Sequence, residues 1–122
     1  MHADMTILIP LWNEADVVAF LLDDLQAGGL PENTSVLLLN DGSTDETAAN
    51  VAEWKNRHPS ARIRSMDFPH GGKDAALWQG FEQVASEWVG MMDGDGQYCP
   101  ADFGLLMQRA LETGADAVWG IR

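Results

Sequence analysis

The sharpest chemical signal in the chain is the run Asp93-Gly94-Asp95-Gly96-Gln97. Two carboxylates one residue apart can share a cation. The glycines between them let the backbone fold closely around an ion or a phosphate. Hard oxygen donors of this kind suit Mg²⁺ or Mn²⁺, which substrate sites hold through one or two carboxylates and the substrate's own phosphates. The residues just before, Trp88 to Met92, read as a buried strand. In open α/β sheets ligands gather outside the carboxyl ends of strands. The spacing therefore predicts a divalent-metal site for a nucleotide diphosphate. An EF-hand is excluded: position 5 of its loop would be Gln97, and Tyr98 would occupy position 6, where glycine is required.

Three further clusters carry polar or charged side chains. Pro10-Leu11-Trp12-Asn13-Glu14 offers a flat ring and a carboxylate to a nucleotide base, although the same residues also make a plain strand exit and helix cap. In Asp41-Gly42-Ser43-Thr44-Asp45, Asp41 is placed to accept a hydrogen bond from a base or ribose, as an acid at a strand end does in dinucleotide folds. Ser43, Thr44 and Asp45 read as capping residues around a turn glycine. His70-Gly71-Gly72-Lys73 sets a cation and pliable backbone at a helix start, an arrangement compatible with phosphate. It is not a Walker motif, since no G-x-x-x-x-G-K-[ST] occurs. His70 reads as a loop residue.

The elements that must position these clusters follow from apolar patterning. Met5 to Ile9 and Ser35 to Leu39 are unbroken apolar runs, as expected for strands covered on both faces, with Pro10 ending the first. Ala61 to Met66 alternates polar and apolar residues, which predicts an edge strand. Helical spacing predicts a helix from Asn13 with Val17, Val18, Leu21, Leu22 and Leu25 inside, ended by Gly28-Gly29. A second is predicted from Ser43 or Thr44 to about Arg57, with Ala48, Val51, Ala52 and Trp54 facing the core. A third runs from about Lys73 to Ser86 on Leu77, Phe81 and Val84, and a fourth from about Ala101 on Phe103, Leu106, Met107 and Ala110. Ala115 to Trp119 reads as a fifth strand. Strands alternating with helices predict an α/β fold: a doubly wound, mostly parallel, Rossmann-like sheet with helices on both faces.

At 122 residues the chain suits one domain, residues 1–122. No apolar run reaches the roughly 18 residues of a membrane span, and Met1-His2-Ala3-Asp4 lacks the features of a signal peptide. Cys99 is alone, so an internal disulfide is impossible and a reducing cytoplasm is expected. Acidic residues outnumber basic ones 19 to 7, for a formal net charge of −12. Nucleic acid is thereby excluded as a partner, because phosphate-backbone binding needs clustered Lys and Arg.

Taken together, the motifs Ile7 to Glu14, Leu39 to Asp45, Gly71 to Ala76 and Asp93 to Gln97 resemble family 2 glycosyltransferases of the GT-A fold. The resemblance is nearest to the polyprenyl-phosphate (dolichyl-phosphate mannosyltransferase-like) branch. It implies that Pro10, Trp12 and Glu14 line the base, with Trp12 in place of the usual Tyr, and that Leu39 and Asp41 touch base or ribose. Asn40 stands where Asp is commoner. Asp93 and Gly94 would face the ribose and sugar, Asp95 and Gln97 would bind Mg²⁺ or Mn²⁺ across the diphosphate, and Arg122 falls near the donor phosphates. No catalytic base is identified. The implied reaction is metal-dependent, inverting transfer of a sugar from a UDP- or GDP-linked donor to an acceptor such as a lipid phosphate, with the relatives at the cytoplasmic face of a membrane. Arg122 falls where the resembling enzymes continue into an acceptor-binding half, so the expectation is a donor-binding portion truncated after its fifth strand. That edge, with Val118 and Trp119, invites self-association.

Two other readings compete. One is a non-catalytic nucleotide- or metal-binding module. The other, a phosphoacceptor signalling domain, needs an acidic pair after its first strand and a lysine after its last. Pro10-Leu11-Trp12 and Gly120-Ile121-Arg122 stand at those places instead.

Overall fold

A computed structural model describes residues 4–94 and 99–118. Its elements in chain order are β1 (Met5–Leu11), α1 (Val18–Gln26), β2 (Thr34–Asp41), α2 (Thr47–Arg57), β3 (Ile63–Phe68), α3 (Lys73–Phe81), β4 (Trp88–Met91) and α4 (Asp102–Thr113). The strands form one sheet in the order β3-β2-β1-β4, and every pairing is parallel. The expected doubly wound architecture is present.

Strand order follows from the alternation of apolar side chains and from crossover handedness. Ile7, Ile9, Leu11, Val36 and Leu38 join Val18, Leu21, Leu22, Leu25, Val51, Trp54, Phe103 and Met107 in the larger core. Leu8, Leu37 and Leu39 point the other way and meet Ala76, with Leu77, Val84 and Val89 packed around them. The steps β1→β2→β3 travel in one direction, which puts α1 and α2 on one face. The step β3→β4 travels back past β1, so a right-handed crossover puts α3 on the opposite face. Ile7, Leu8 and Ile9 are fully enclosed, and each such side chain contributes roughly 1.5–3 kcal/mol of transfer free energy. Gly80 permits the close approach of α3: a Cβ there would lie 2.7 Å from Leu39 Cδ1.

Several boundaries differ from the sequence expectation. Pro10 does not end β1, which continues through Leu11 in register with Leu39 and Asn40 of β2. On its other side β1 pairs with β4 only as far as Leu8 with Met91. A missing N–H is tolerated where a ladder has ended. Asn13 does not cap α1, which begins at Val18 without a side-chain cap. Neither Ser43 nor Thr44 caps α2, which begins at Thr47. Within α2 the buried residues are Thr47, Val51 and Trp54, while Ala48 and Ala52 are exposed, because they line an open cleft between α2 and the Leu11, Leu38 and Asp67 end of the sheet. The third helix ends at Phe81, and Phe81 is exposed rather than internal. The expected fifth strand is absent over residues 115–118. Ala115, Asp116 and Ala117 offer little apolar or β-branched surface to order an extended segment. Trp119 lies outside the described residues, so β3 and β4 are the edges among the described strands.

Candidate functional site

The point where strand order reverses lies between β1 and β4, and crevices at such points hold ligands in open α/β sheets. The carboxyl ends of β1, β2 and β4 carry Trp12, Asn40-Asp41 and Asp93 to this rim. Trp12 is half exposed, at 51%, and its ring stacks on His70 with centroids 5.0 Å apart and planes at 26°. At the start of α3, Lys73 Nζ donates to Asp93 Oδ1 at 2.5 Å. This pair bridges the third loop to the β4 end across the face of the sheet. Gly94 packs where a side chain could not, since a Cβ would lie 2.5 Å from Leu11 Cδ2 and 3.0 Å from the Pro10 carbonyl.

Asp41 is buried at the end of β2 and engages the loop before α3. Only 3% of it is exposed. Its Oδ1 accepts from Gly71 N at 2.9 Å, its Oδ2 accepts from Gly72 N at 3.0 Å, and His70 Nδ1 lies 3.0 Å from Oδ2. The carboxylate thus moulds the His70–Lys73 loop. The same bonds engage the Gly71 and Gly72 amides that the helix start had offered to phosphate, leaving the Lys73 side chain as that loop's cation. Leu39 is buried on the face of the sheet opposite the larger core. Its side chain is sealed beneath α3 with Leu8, Leu37 and Ala76 and packs the sheet.

The first two loops are clasped to each other by side chains that sequence reasoning took for helix caps. Asn13 adopts a left-handed φ of 52°, a conformation that costs energy for a residue with a Cβ unless its surroundings hold it. Its N–H donates to Ser43 Oγ at 3.0 Å, and its Oδ1 accepts from Thr44 N at 2.8 Å. Glu14 N donates to Thr47 Oγ1 at 2.9 Å, and Ala15 N donates to Asp45 Oδ2 at 3.3 Å. Asp45 also accepts from Thr47 N at 2.9 Å, which does satisfy the first turn of α2. The Thr47 hydroxyl and these backbone donors hold the Asp45 carboxyl below the ordinary carboxylate range, opposed by partial desolvation.

Of the residues proposed from the sequence, Trp12, Glu14, Asp93 and Gly94 lie on the loops that follow β1 and β4, Pro10 lies near the end of β1 before its loop, and Lys73 is the first residue of α3. Asp95, Gln97 and Arg122 lie outside the described residues. Among the described residues, no group of three or more His, Cys, Asp or Glu could hold a metal ion. No helix among them is long and apolar enough to cross a membrane. Sequence reasoning missed His70 as a stacking partner, because nothing local links it to Trp12.

Comparison with known proteins places this geometry in context. An uncharacterised glycosyltransferase of Escherichia coli, YaiP, is 36% identical over 93% of this chain and 28% of its own length. The undecaprenyl-phosphate 4-deoxy-4-formamido-L-arabinose transferase of Klebsiella pneumoniae is 29% identical over 97% of this chain and 36% of its own length. The chain therefore spans about a third of such relatives. In fold it superposes on the mannosyltransferase PcManGT from Pyrobaculum calidifontis, solved with GDP-Man and Mn²⁺. The TM-score is 0.78 at 24% identity, covering 95% of this chain and 33% of that one. The profile described as Glycosyl transferase family 2 matches residues 6–122, and the chain belongs to that family.

Proposed function

We propose that residues 1–122 form the donor-binding part of a metal-dependent, inverting glycosyltransferase that moves a sugar from a UDP- or GDP-linked donor to a polyprenyl phosphate. The carrying observation is that Trp12, stacked on His70, and the Lys73–Asp93 ion pair stand at the carboxyl ends of β1 and β4, where the strand order reverses. The exposed indole offers a π face to a base, and such stacking contributes about 1–3 kcal/mol. Glu14 accepts from the base or ribose. Lys73, now paired with Asp93, supplies positive charge to the diphosphate. Gly94, lacking a Cβ, lets the backbone after Asp93 pack against Leu11 and the Pro10 carbonyl, which seats Asp93 at the rim. Arg122 would supply a second cation to the phosphates, as the resemblance implies.

The residue types after Asp93 suit a hard divalent cation, since Asp95 and Gln97 bring two further oxygen donors close to Asp93 in sequence. These two side chains would hold Mg²⁺ or Mn²⁺. Bound there, the ion would supply Lewis-acid stabilisation to the departing nucleoside diphosphate. Two names support the reading: a relative that acts on undecaprenyl phosphate and a fold neighbour solved with GDP-Man and Mn²⁺. The reading places the whole protein at the cytoplasmic face of a membrane, where a lipid phosphate presents its head group.

Calorimetric titration of the chain with UDP and with GDP, with and without Mn²⁺, tests this. Metal-dependent binding that is lost in Asp95→Ala is expected. Affinity indifferent to both the metal and the substitution would falsify the metal-diphosphate assignment.

A further inference from the structure

Asn40 and Asp67 face each other in register on β2 and β3, one position before the end of each strand. Asn40 is buried, at 7% exposure. Its Nδ2 donates to Asp67 Oδ1 at 2.9 Å. Its Oδ1 accepts from Ser43 Oγ at 2.6 Å and from Ser43 N at 3.3 Å. The amide's orientation is fixed by its neighbours: a carboxylate only accepts and a backbone N–H only donates. Because the Ser43 hydroxyl donates to Asn40, its oxygen is left to accept from Asn13 N. A single directional chain therefore runs from the Asp67 carboxylate through Asn40 and Ser43 to the strained residue that follows Trp12. Hydrogen bonds aligned in this way reinforce one another.

We infer that Asn40 and Asp67 are positioning residues that set the orientation of Trp12 at the rim through Ser43 and Asn13. The inference rests on the proposed nucleotide site for its binding readout. The amide is needed at position 40 because Asp67 requires a donor, which a carboxylate there could not supply. Two carboxylates would then face each other across adjacent strands, a destabilising arrangement. Lys55 lines the same cleft, with its Nζ 3.5 Å from Ser65 Oγ, and offsets part of that repulsion. Exchanging the two residues preserves the chain: Asp at 40 accepts from Ser43 with one oxygen and from Asn at 67 with the other.

The test compares N40D, D67N and the exchanged double variant with the parent chain. It reads melting temperature, the affinity for UDP or GDP with Mn²⁺, and the ¹⁵N–¹H resonance of the Trp12 indole in the ligand-free protein. Trp12→Phe identifies that resonance. N40D is expected to move it and to weaken nucleotide binding roughly five- to tenfold, and the exchanged pair to return both to parent values. A lower melting temperature with unchanged affinity and unchanged indole resonance would overturn the inference, as would an exchanged pair no better than N40D. Should N40D fail to fold, Asp67→Ala at the exposed end of the chain supplies the same two readouts. If the parent binds neither nucleotide, the proposed function fails by itself, and the ligand-free indole resonance still decides this inference.

Discussion

The Trp12 indole lies over the His70 imidazole, with centroids 5.0 Å apart and planes at 26°, although 58 positions separate them (70 − 12). One ring face is supported by the protein and half of the side chain is exposed. Trp12→Ala is expected to weaken nucleotide affinity by about 1–2 kcal/mol, or roughly tenfold, while Trp12→Tyr retains most of it. Isothermal calorimetry measures both.

Leu39 and Trp12 are expected to separate stability from binding. Leu39→Ala empties a sealed position beneath α3 and should cost about 2–5 kcal/mol of folding stability. The affinity of the remaining folded fraction should be unchanged. Denaturant titration followed by nucleotide titration checks the pair of outcomes.

Asp41→Ala removes the acceptor of the Gly71 and Gly72 amides. The expected loss is about 1–3 kcal/mol, with hydrogen exchange accelerated at those two amides before any global change. Unchanged protection at Gly71 and Gly72 would contradict the moulding role given to Asp41.

Gly42 and Gly28 both have positive φ, at 66° and 107°. A Cβ at Gly42 would meet the His70 backbone nitrogen at 2.4 Å, whereas one at Gly28 would meet open space. Gly42→Ala should therefore destabilise well beyond the roughly 1 kcal/mol that backbone strain alone costs at Gly28→Ala. Parallel thermal melts give the comparison.

Asp45 titrates below the ordinary carboxylate range in the folded chain, chiefly through the Thr47 hydroxyl. As pH falls, the unfolded chain takes up this proton first, so stability rises with pH through the acid region and the contribution is fully present above the ordinary carboxylate range. Asp45→Asn should flatten that part of the stability profile and leave it unaltered at neutral pH apart from a constant offset. Urea melts between pH 3 and pH 6 are on the order of what is needed to see it.

Much of the architecture was legible without coordinates. The unbroken apolar runs at Met5 to Ile9 and Ser35 to Leu39, the half-wet alternation near Ile63 and the helical stripe of Val18, Leu21, Leu22 and Leu25 each encode burial locally. Side-chain period is a property of a few neighbouring residues, so it survives in the sequence. The same logic failed at Ala115 to Ala117, where small and polar residues offer little β-branched or apolar surface to order a strand. It was incomplete at Ala48 and Ala52, which face the sheet as helical spacing allowed but line an open cleft and stay exposed.

Residue type and spacing by themselves determined an alternating α/β chain with polar clusters at its strand ends. Only the tertiary structure decided that β1 lies between β2 and β4, and hence which loops share a crevice. It alone turned Asp41 inward to Gly71 and Gly72, sealed Leu39 beneath α3, and passed Asn13 to Ser43 and Thr44. Those partners stand about 30 positions apart in the chain. A carboxylate's choice between a ligand and a backbone amide depends on which groups packing brings within 3 Å, and no local pattern records that distance.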